Sequence, residues 1–361
     1  MKGRTSMSEK LWRKNFIEIE PYVAGEQSKN PNIIKLNANE NPYPPSPKVQ
    51  EITAKFDSGI LRKYPSADAA PLKEALAEFQ GLKPENVFVG NGTDDVLATA
   101  FRGFFNSELP VVYPDITYSF YPVWCELLKI PCKTFSVDEN FKINVKDYYA
   151  ANGGVVLPNP NAPTAIGENE DFIIDLLEHN QDCIVIIDEA YADFSGYSCV
   201  GLINKYENLL VTQTFSKSRS MAGMRIGVAY GSAELIQVLN AVKDSYNSYP
   251  LDSVAIETGI ASVKDNEYFV NTVQKVIDTR DKTISELRKI GFNVTDSKTN
   301  FVFAEHKDYP AKEIFEYLKS KDIFVRFFNK PRINNRLRIT IGTDEQMEML
   351  LKEIRNFLNS K

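Results

Sequence analysis

Three apolar runs in the middle of this chain each give way to polar residues at nearly even intervals. Val155-Val156-Leu157 leads into Pro158-Asn159-Pro160-Asn161. Ile184-Val185-Ile186-Ile187 leads into Asp188-Glu189-Ala190-Tyr191, and Leu209-Leu210-Val211 into Thr214-Phe215-Ser216-Lys217. Short, continuously apolar runs separated by helix-length segments describe strands covered on both faces, as in a mostly parallel sheet. Val87-Phe88-Val89, Val111-Val112-Tyr113 and Thr134 to Val137 read as further strands, with helices over Asp94 to Phe105 and Tyr118 to Leu128. In such a sheet the carboxyl ends of the strands share one edge, and ligands bind there. Asn161, Asp188 and Lys217 should therefore converge. Arg225 to Gly231 follows Lys217 closely enough to run antiparallel at one side.

The chain has 361 residues, enough for a large domain and a smaller one. Its pattern changes near residue 266. A long amphipathic helix is expected over Tyr268 to Lys289, then strands at Phe301 to Phe303, Ile323 to Phe327 and Leu337 to Ile341. Helices over Pro310 to Lys319 and Asp344 to Leu358 complete a small α+β domain. The expected division is an N-terminal arm over 1–45 that joins the small domain, a large domain over 46–265 and a small domain over 266–361.

A net charge of −6 argues against nucleic acid as a partner. No apolar run approaches the ~20 residues needed to span a bilayer. The first residues are polar and basic, unlike a secretory signal, and either Met1 or Met7 could start the chain. Cys125, Cys132, Cys183 and Cys199 lack metal-ligand spacing, and Cys183 reads as a small core residue opening a strand, which suits a reducing compartment. The expected location is cytoplasmic. His179 and His306 form no evident metal or catalytic pair, and His179 suits a surface role near a helix end.

Lys217 sits among hydroxyls, with Arg225 eight residues on. A lysine whose pKa is lowered can condense with a carbonyl, and hydroxyls with a guanidinium fork suit a phosphate. Taken alone, such a lysine is usually solvated. Asp188 directly follows four apolar residues, where a carboxylate is costly to bury unless paired. It reads equally well as a helix cap or as the partner of a pyridinium nitrogen. Gly90-Asn91-Gly92-Thr93-Asp94-Asp95 joins a strand to a helix, and free amides at such a start bind phosphate. Together these pieces suit an aldehyde-bearing pyridine phosphate. Gly92, Thr93, Asp94, Thr214, Ser216 and Arg225 would meet its phosphate and Asp188 its ring nitrogen. Asn161 and Tyr191 would meet the ring oxygen, Tyr118 the ring face, and Lys217 the aldehyde.

Leu36-Asn37-Ala38-Asn39-Glu40-Asn41-Pro42, Tyr64-Pro65, Asn159 to Thr164, Asp188 to Tyr191, Ser216 to Arg225 and Leu337 to Gly342 occur in the order found in one enzyme group. In these stretches the chain resembles the fold-type I pyridoxal-phosphate aminotransferases, and within them it is most similar to the histidinol-phosphate aminotransferases. The resemblance implies pyridoxal 5'-phosphate as cofactor, a seven-stranded sheet between helices, and a homodimer with shared sites. It implies that Tyr64 reaches the partner's cofactor phosphate and that Arg338 grips the carboxylate of a substrate such as glutamate. Tyr22, Asn39 and Arg326 are implied at the substrate pocket, Arg326 toward a substrate phosphate. Catalysis falls to Lys217, Asp188 and Tyr191. Arg219 and Ser220 stand where the group has an aromatic and a small residue, Ala165-Ile166-Gly167 where glycine directly follows Pro-Thr, and Ser66 where aspartate is common.

Two related activities stay open here, aromatic-amino-acid transamination and threonine-phosphate decarboxylation. A nucleotide-binding dehydrogenase would need a G-x-G-x-x-G turn, and Gly90-Asn91-Gly92-Thr93-Asp94-Asp95 lacks its third glycine.

Overall fold

A computed structural model describes residues 11–22, 26, 30 and 32–361. The alternative start at Met7 and the stretch Val23-Ala24-Gly25 lie outside the described residues. Among the described residues, twelve strands form two sheets: β1 (Ile34–Leu36), β2 (Val87–Asn91), β3 (Val111–Pro114), β4 (Cys132–Phe135), β5 (Gly154–Pro158), β6 (Val185–Asp188), β7 (Leu209–Thr214), β8 (Ile226–Tyr230), β9 (Phe292–Val294), β10 (Phe301–His306), β11 (Ile323–Phe327) and β12 (Leu337–Thr340).

The large sheet has seven strands in the order β2-β8-β7-β6-β5-β3-β4. Only β8 runs against the rest, pairing antiparallel with both β2 and β7. It therefore lies one strand in from the edge rather than at the side of the sheet. The covered faces explain the apolar runs: every residue of β3, β5 and β6 is buried. One face packs on Phe101, Tyr121 and Leu239, the other on Leu72, Leu176 and Leu177. β4 runs from Cys132 to Phe135, two residues earlier than its apolar residues suggest, because as an edge strand it is exposed and carries little hydrophobic signal.

The second sheet has five strands in the order β1-β11-β12-β10-β9. The arm segment β1 pairs parallel to β11, Ile34 opposite Ile323, so this part of the arm completes the small sheet. The helix Asn266–Lys289 buries Val273, Val276, Ile284 and Leu287 on that sheet. A capping box of Thr343 and Gln346 starts the final helix, Asp344–Asn359.

Cys183 lies before β6 and is half-buried. The core cysteines are instead Cys125 and Cys199, and all four are free thiols. His179 is exposed, stacked on Tyr149 at 3.7 Å between ring centroids. No helix among the described residues is long and apolar enough to cross a membrane.

Candidate active site

Parallel register sets the three polar segments side by side. Pro158 of β5 lies opposite Asp188 of β6, and Asp188 opposite Thr212 of β7. Their continuations enter one cavity of about 340 Å³, lined by Asp188, Tyr191, Thr214, Ser216 and Lys217. Thr93 and Asp94 line it from the start of the helix Gly92–Phe104, Tyr118 and Arg225 from loops beside the large sheet. Tyr22 and Asn39 enter from the arm, and Arg326 and Arg338 from the small sheet.

Asp188 is buried at the cavity floor. Its carboxylate accepts from Tyr121 OH at 2.8 Å and from Thr212 Oγ1 at 3.3 Å, so it does not cap a helix. Burial raises its pKa to about 6 against those hydrogen bonds, which pull it down. Tyr121 was not foreseen. Its alternating apolar neighbours mark it as core, and nothing in the sequence aims its hydroxyl at a carboxylate.

Lys217 is not a solvated lysine. Its ammonium reaches Ala38 O at 3.3 Å and lies 5.9 Å from the Tyr191 ring centroid. Burial, helped by the charge of Arg338, lowers its pKa to about 8, and Glu40 opposes that shift. The free amine thus becomes abundant as pH rises through 8. The loop around it is pinned at several points. Asn41 Nδ2 donates to the Lys217 carbonyl at 3.0 Å, Thr214 Oγ1 accepts from Ser216 N, and Ser218 donates to Asp193. Arg219, where an aromatic was expected, is buried beside Phe79, Phe215 and Phe269 and donates to Ser262 O at 2.9 Å. It fills an aromatic's space while its guanidinium lies over rings.

The helix Gly92–Phe104 begins at the cavity with no side chain capping its amides. Arg225 meets this end. It holds a left-handed conformation (φ 54°) and reaches Ser216 Oγ at 3.3 Å and Asp94 Oδ2 at 3.5 Å. A non-glycine residue held there stores strain, which surrounding structure must maintain. A Cβ on Gly92 would intrude on this guanidinium, so the glycine keeps room for it. Gly227 of β8 is a further requirement that the sequence did not expose, since a Cβ there would lie 2.5 Å from Thr93 N. Gly227→Ala is expected to destabilise the chain by about 1–3 kcal/mol, as overpacked sites do. Thermal denaturation beside a wild-type control measures this, and an unchanged midpoint refutes the tight packing.

Tyr118 donates to Asp94 Oδ1 at 2.7 Å, and burial raises its pKa well above the ordinary value. Tyr191 OH accepts from Asn39 Nδ2 at 2.8 Å. Asn39 (φ 56°) is itself held by Thr340 and Asn300, tying the arm to the small sheet. Arg338 donates to Asn37 O at 3.0 Å, and its Nε is buried without a partner. Arg326 lies directly opposite Arg338 on the paired strands. Like charges in that position repel, and burial, helped by the charge of Arg326 and opposed by Tyr191, lowers the pKa of Arg338. Tyr22 stacks on Phe120 at 4.3 Å between centroids.

Three expected residues do not line the cavity: Gly92 (the first residue of its helix), Asn161 and Tyr64. Asn161 is buried behind the wall, donating to Ile116 O at 2.9 Å and accepting from Thr117 at 3.1 Å. Tyr64 is 82% exposed and stacks on Tyr249 at 4.7 Å. The ion pair Lys35–Glu40 (2.7 Å) lines the cavity and went unforeseen, because charged residues in an arm carry no periodic signal.

The sequence profile of the family "Aminotransferase class I and II" matches residues 31–354. The chain is 50% identical over 347 residues to the histidinol-phosphate aminotransferase of Lactococcus lactis subsp. lactis, covering 96% of each. It is likewise 50% identical over 349 residues to that of Acinetobacter baumannii strain SDF, covering 96% of this chain and 97% of that one. Among solved structures, the histidinol-phosphate aminotransferase of Clostridium acetobutylicum superposes with a TM-score of 0.83 at 22% identity, covering 91% of this chain and all of that one. That of Sinorhizobium meliloti, in complex with pyridoxal-5'-phosphate, gives 0.82 at 23% identity, covering 90% and 91%. With its sheet order, its cavity and these relatives in agreement, the chain belongs to the class I and II aminotransferases.

Proposed function

We propose that this chain is a pyridoxal-phosphate-dependent aminotransferase that acts on histidinol phosphate, with glutamate and 2-oxoglutarate as the second pair. One observation carries the cofactor assignment. Asp188 is a buried carboxylate whose hydrogen bonds come from neutral donors, Tyr121, Thr212 and the Ala190 amide, at the floor of a cavity that also holds a buried lysine. Such a carboxylate suits a cationic ring nitrogen. The uncapped helix start beside Arg225 and Ser216 suits a phosphate. The donor set and the cavity thus fit pyridoxal 5'-phosphate.

Gly92, Thr93, Asp94, Thr214, Ser216 and Arg225 would hold the phosphate through amides, hydroxyls and a guanidinium. Tyr118 would cover the ring face, and Tyr191 would stand toward the ring oxygen, which Asn161 would meet only by giving up its bond to Ile116 O or the one from Thr117. Bound there, the cofactor supplies an electron sink for the charge left when an α-proton departs. Lys217, close to its neutral form near pH 8, would attach the cofactor and, once released, carry the proton as base and then as acid. Asp188 would keep its negative charge facing the ring nitrogen throughout. Arg338 would orient a substrate carboxylate through its fork.

The opposed pair Arg326 and Arg338 supports a phosphorylated substrate over phenylalanine, since two guanidiniums offer more positive charge than one carboxylate requires. The curated relatives bearing the histidinol-phosphate name support the same choice. The exposed Tyr64–Tyr249 stack, with Ile60 and Leu61 also exposed nearby, supports a homodimer in which Tyr64 enters the partner's site. The same reading takes 46–265 as the cofactor-binding domain, 266–361 as the small domain and 1–45 as an arm joined to it. Four free thiols fit a cytoplasmic location.

The test offers purified enzyme histidinol phosphate, phenylalanine and threonine phosphate, each with 2-oxoglutarate. Glutamate should form fastest with histidinol phosphate. Faster turnover of phenylalanine, or carbon dioxide released from threonine phosphate, overturns the substrate assignment.

A further inference from the structure

The two arginine strands are joined by the connection 328–336, and this turn is seated on the large sheet rather than left free. Arg332, in a left-handed conformation (φ 68°), pairs with Asp115 Oδ2 at 2.7 Å. It also donates to the carbonyls of Val137 and Asp138. Its neighbour Ile333 is buried among Ile116, Val137, Phe141 and Phe303. Arg336 lies over the Phe141 and Phe303 rings and pairs with Glu305 at 2.5 Å. Asn335 accepts from Ala311 N at 3.0 Å, fixing the far side of the turn to the helix Ala311–Ser320.

What this turn grips is the segment that leads into the ring-facing wall. Asp115 directly follows β3, Ile116 O accepts from Asn161, Thr117 donates to Asn161, and Tyr118 lines the cavity. Asp115 Oδ1 in turn accepts from Val137 N at 3.0 Å, so the carboxylate braces both segments. The Arg332–Asp115 pair and the packing of Ile333 on Ile116 therefore join the strands of Arg326 and Arg338 to the wall bearing Tyr118.

Resting on the function proposed above, we propose that Arg332 is a positioning residue that sets the gap between the substrate-gripping arginines and the ring-facing wall. It touches neither substrate nor cofactor. The pair with Asp115 is partly exposed, so its strength falls with added salt.

The experiment measures binding of glutarate, a dicarboxylate without an amine, to the holoenzyme by calorimetry, beside cofactor affinity and thermal midpoint. Arg332→Met should weaken glutarate by about tenfold, the scale of a sub-ångström to ångström misplacement, and leave cofactor affinity within about twofold of wild type. Arg332→Lys should recover part of the loss. Asp115→Asn, which leaves Arg332 its bonds to the Val137 and Asp138 carbonyls, should weaken glutarate less than Arg332→Met, and the double variant should be no worse than Arg332→Met alone, as coupled partners require. If Arg332→Met does not accumulate, Asp115→Asn gives the reading through its smaller loss. Unchanged glutarate affinity in the variants, or losses that add in the double variant, overturns the positioning role. Failure of the wild-type enzyme itself to bind glutarate overturns the function reading instead, so the two failures are distinct.

Discussion

Lys217→Ala is expected to lower kcat by about 10²–10⁴-fold from lost proton transfer alone, with further loss because the carbonyl can no longer be attached. The enzyme should also lose its covalent link to the cofactor. Borohydride then fixes no cofactor to the polypeptide, while the wild-type chain is labelled at residue 217. Lys217→Arg serves as the control for charge, since a guanidinium stays protonated and cannot act as a base near neutral pH. The pocket tolerates a neutral amine because burial and Arg338 already lower the lysine to about 8. For wild type, the rate of attachment should rise as pH approaches 8 and then level. An alanine variant with wild-type turnover ends the proposed chemistry outright.

Asp188→Asn should cut kcat by about 10²-fold or more, the scale seen when one aimed electrostatic partner is removed, while making the cofactor-free chain more stable. Burial raises this carboxyl from 3.8 to about 6. The folded chain therefore binds the proton more tightly than the unfolded chain. Its stabilising contribution is complete below the unfolded value near 3.8 and is lost as pH rises through 6. At pH 8 the empty protein keeps a buried charge that asparagine would not have, a difference on the order of 1–3 kcal/mol. Thermal midpoints of the cofactor-free proteins should coincide near pH 4 and separate toward pH 8, with the variant higher. Adding cofactor should reverse the order by giving the wild-type carboxylate a cation. Equal midpoints at pH 8 contradict this account. Gain in stability with loss of activity is the usual exchange at functional positions.

The parts of the site carried by β6 and β7 were readable because a buried parallel strand is a plain apolar run, and the polar residues after it stand at the shared edge; after β5 the same rule picked Asn161, which does not line the cavity. Asp188 is the first such residue for β6, and Thr214, Ser216 and Lys217 follow a few positions after Val211 of β7. Glu189, next to Asp188, shows the limit of the rule. Strand alternation turns Glu189 to the other side, where Ser198, the Cys199 amide and Gln213 hold it, and nothing in an Asp-Glu pair says which one faces the cavity. Tyr121, Gly227 and Arg332 act through contacts with residues far along the chain, and local periodicity carries no record of them. β1 was hidden for a related reason. Three residues of an arm gain strand form only by pairing with β11, nearly three hundred positions later.

The reversed strand β8 has a consequence for how the protein is made. Asn91 of β2 pairs with Ile226, and β2 has no other neighbour in its sheet. Until residue 230 has left the ribosome, the helix start at Gly92 lacks the close backbone of Gly227 on β8, and Arg225 is not yet beside it. Closing so long a loop is slow relative to local pairing. The growing polypeptide therefore gains its vitamin-binding pocket late in synthesis, and a nascent chain stalled before β8 emerges should fail to retain the coenzyme.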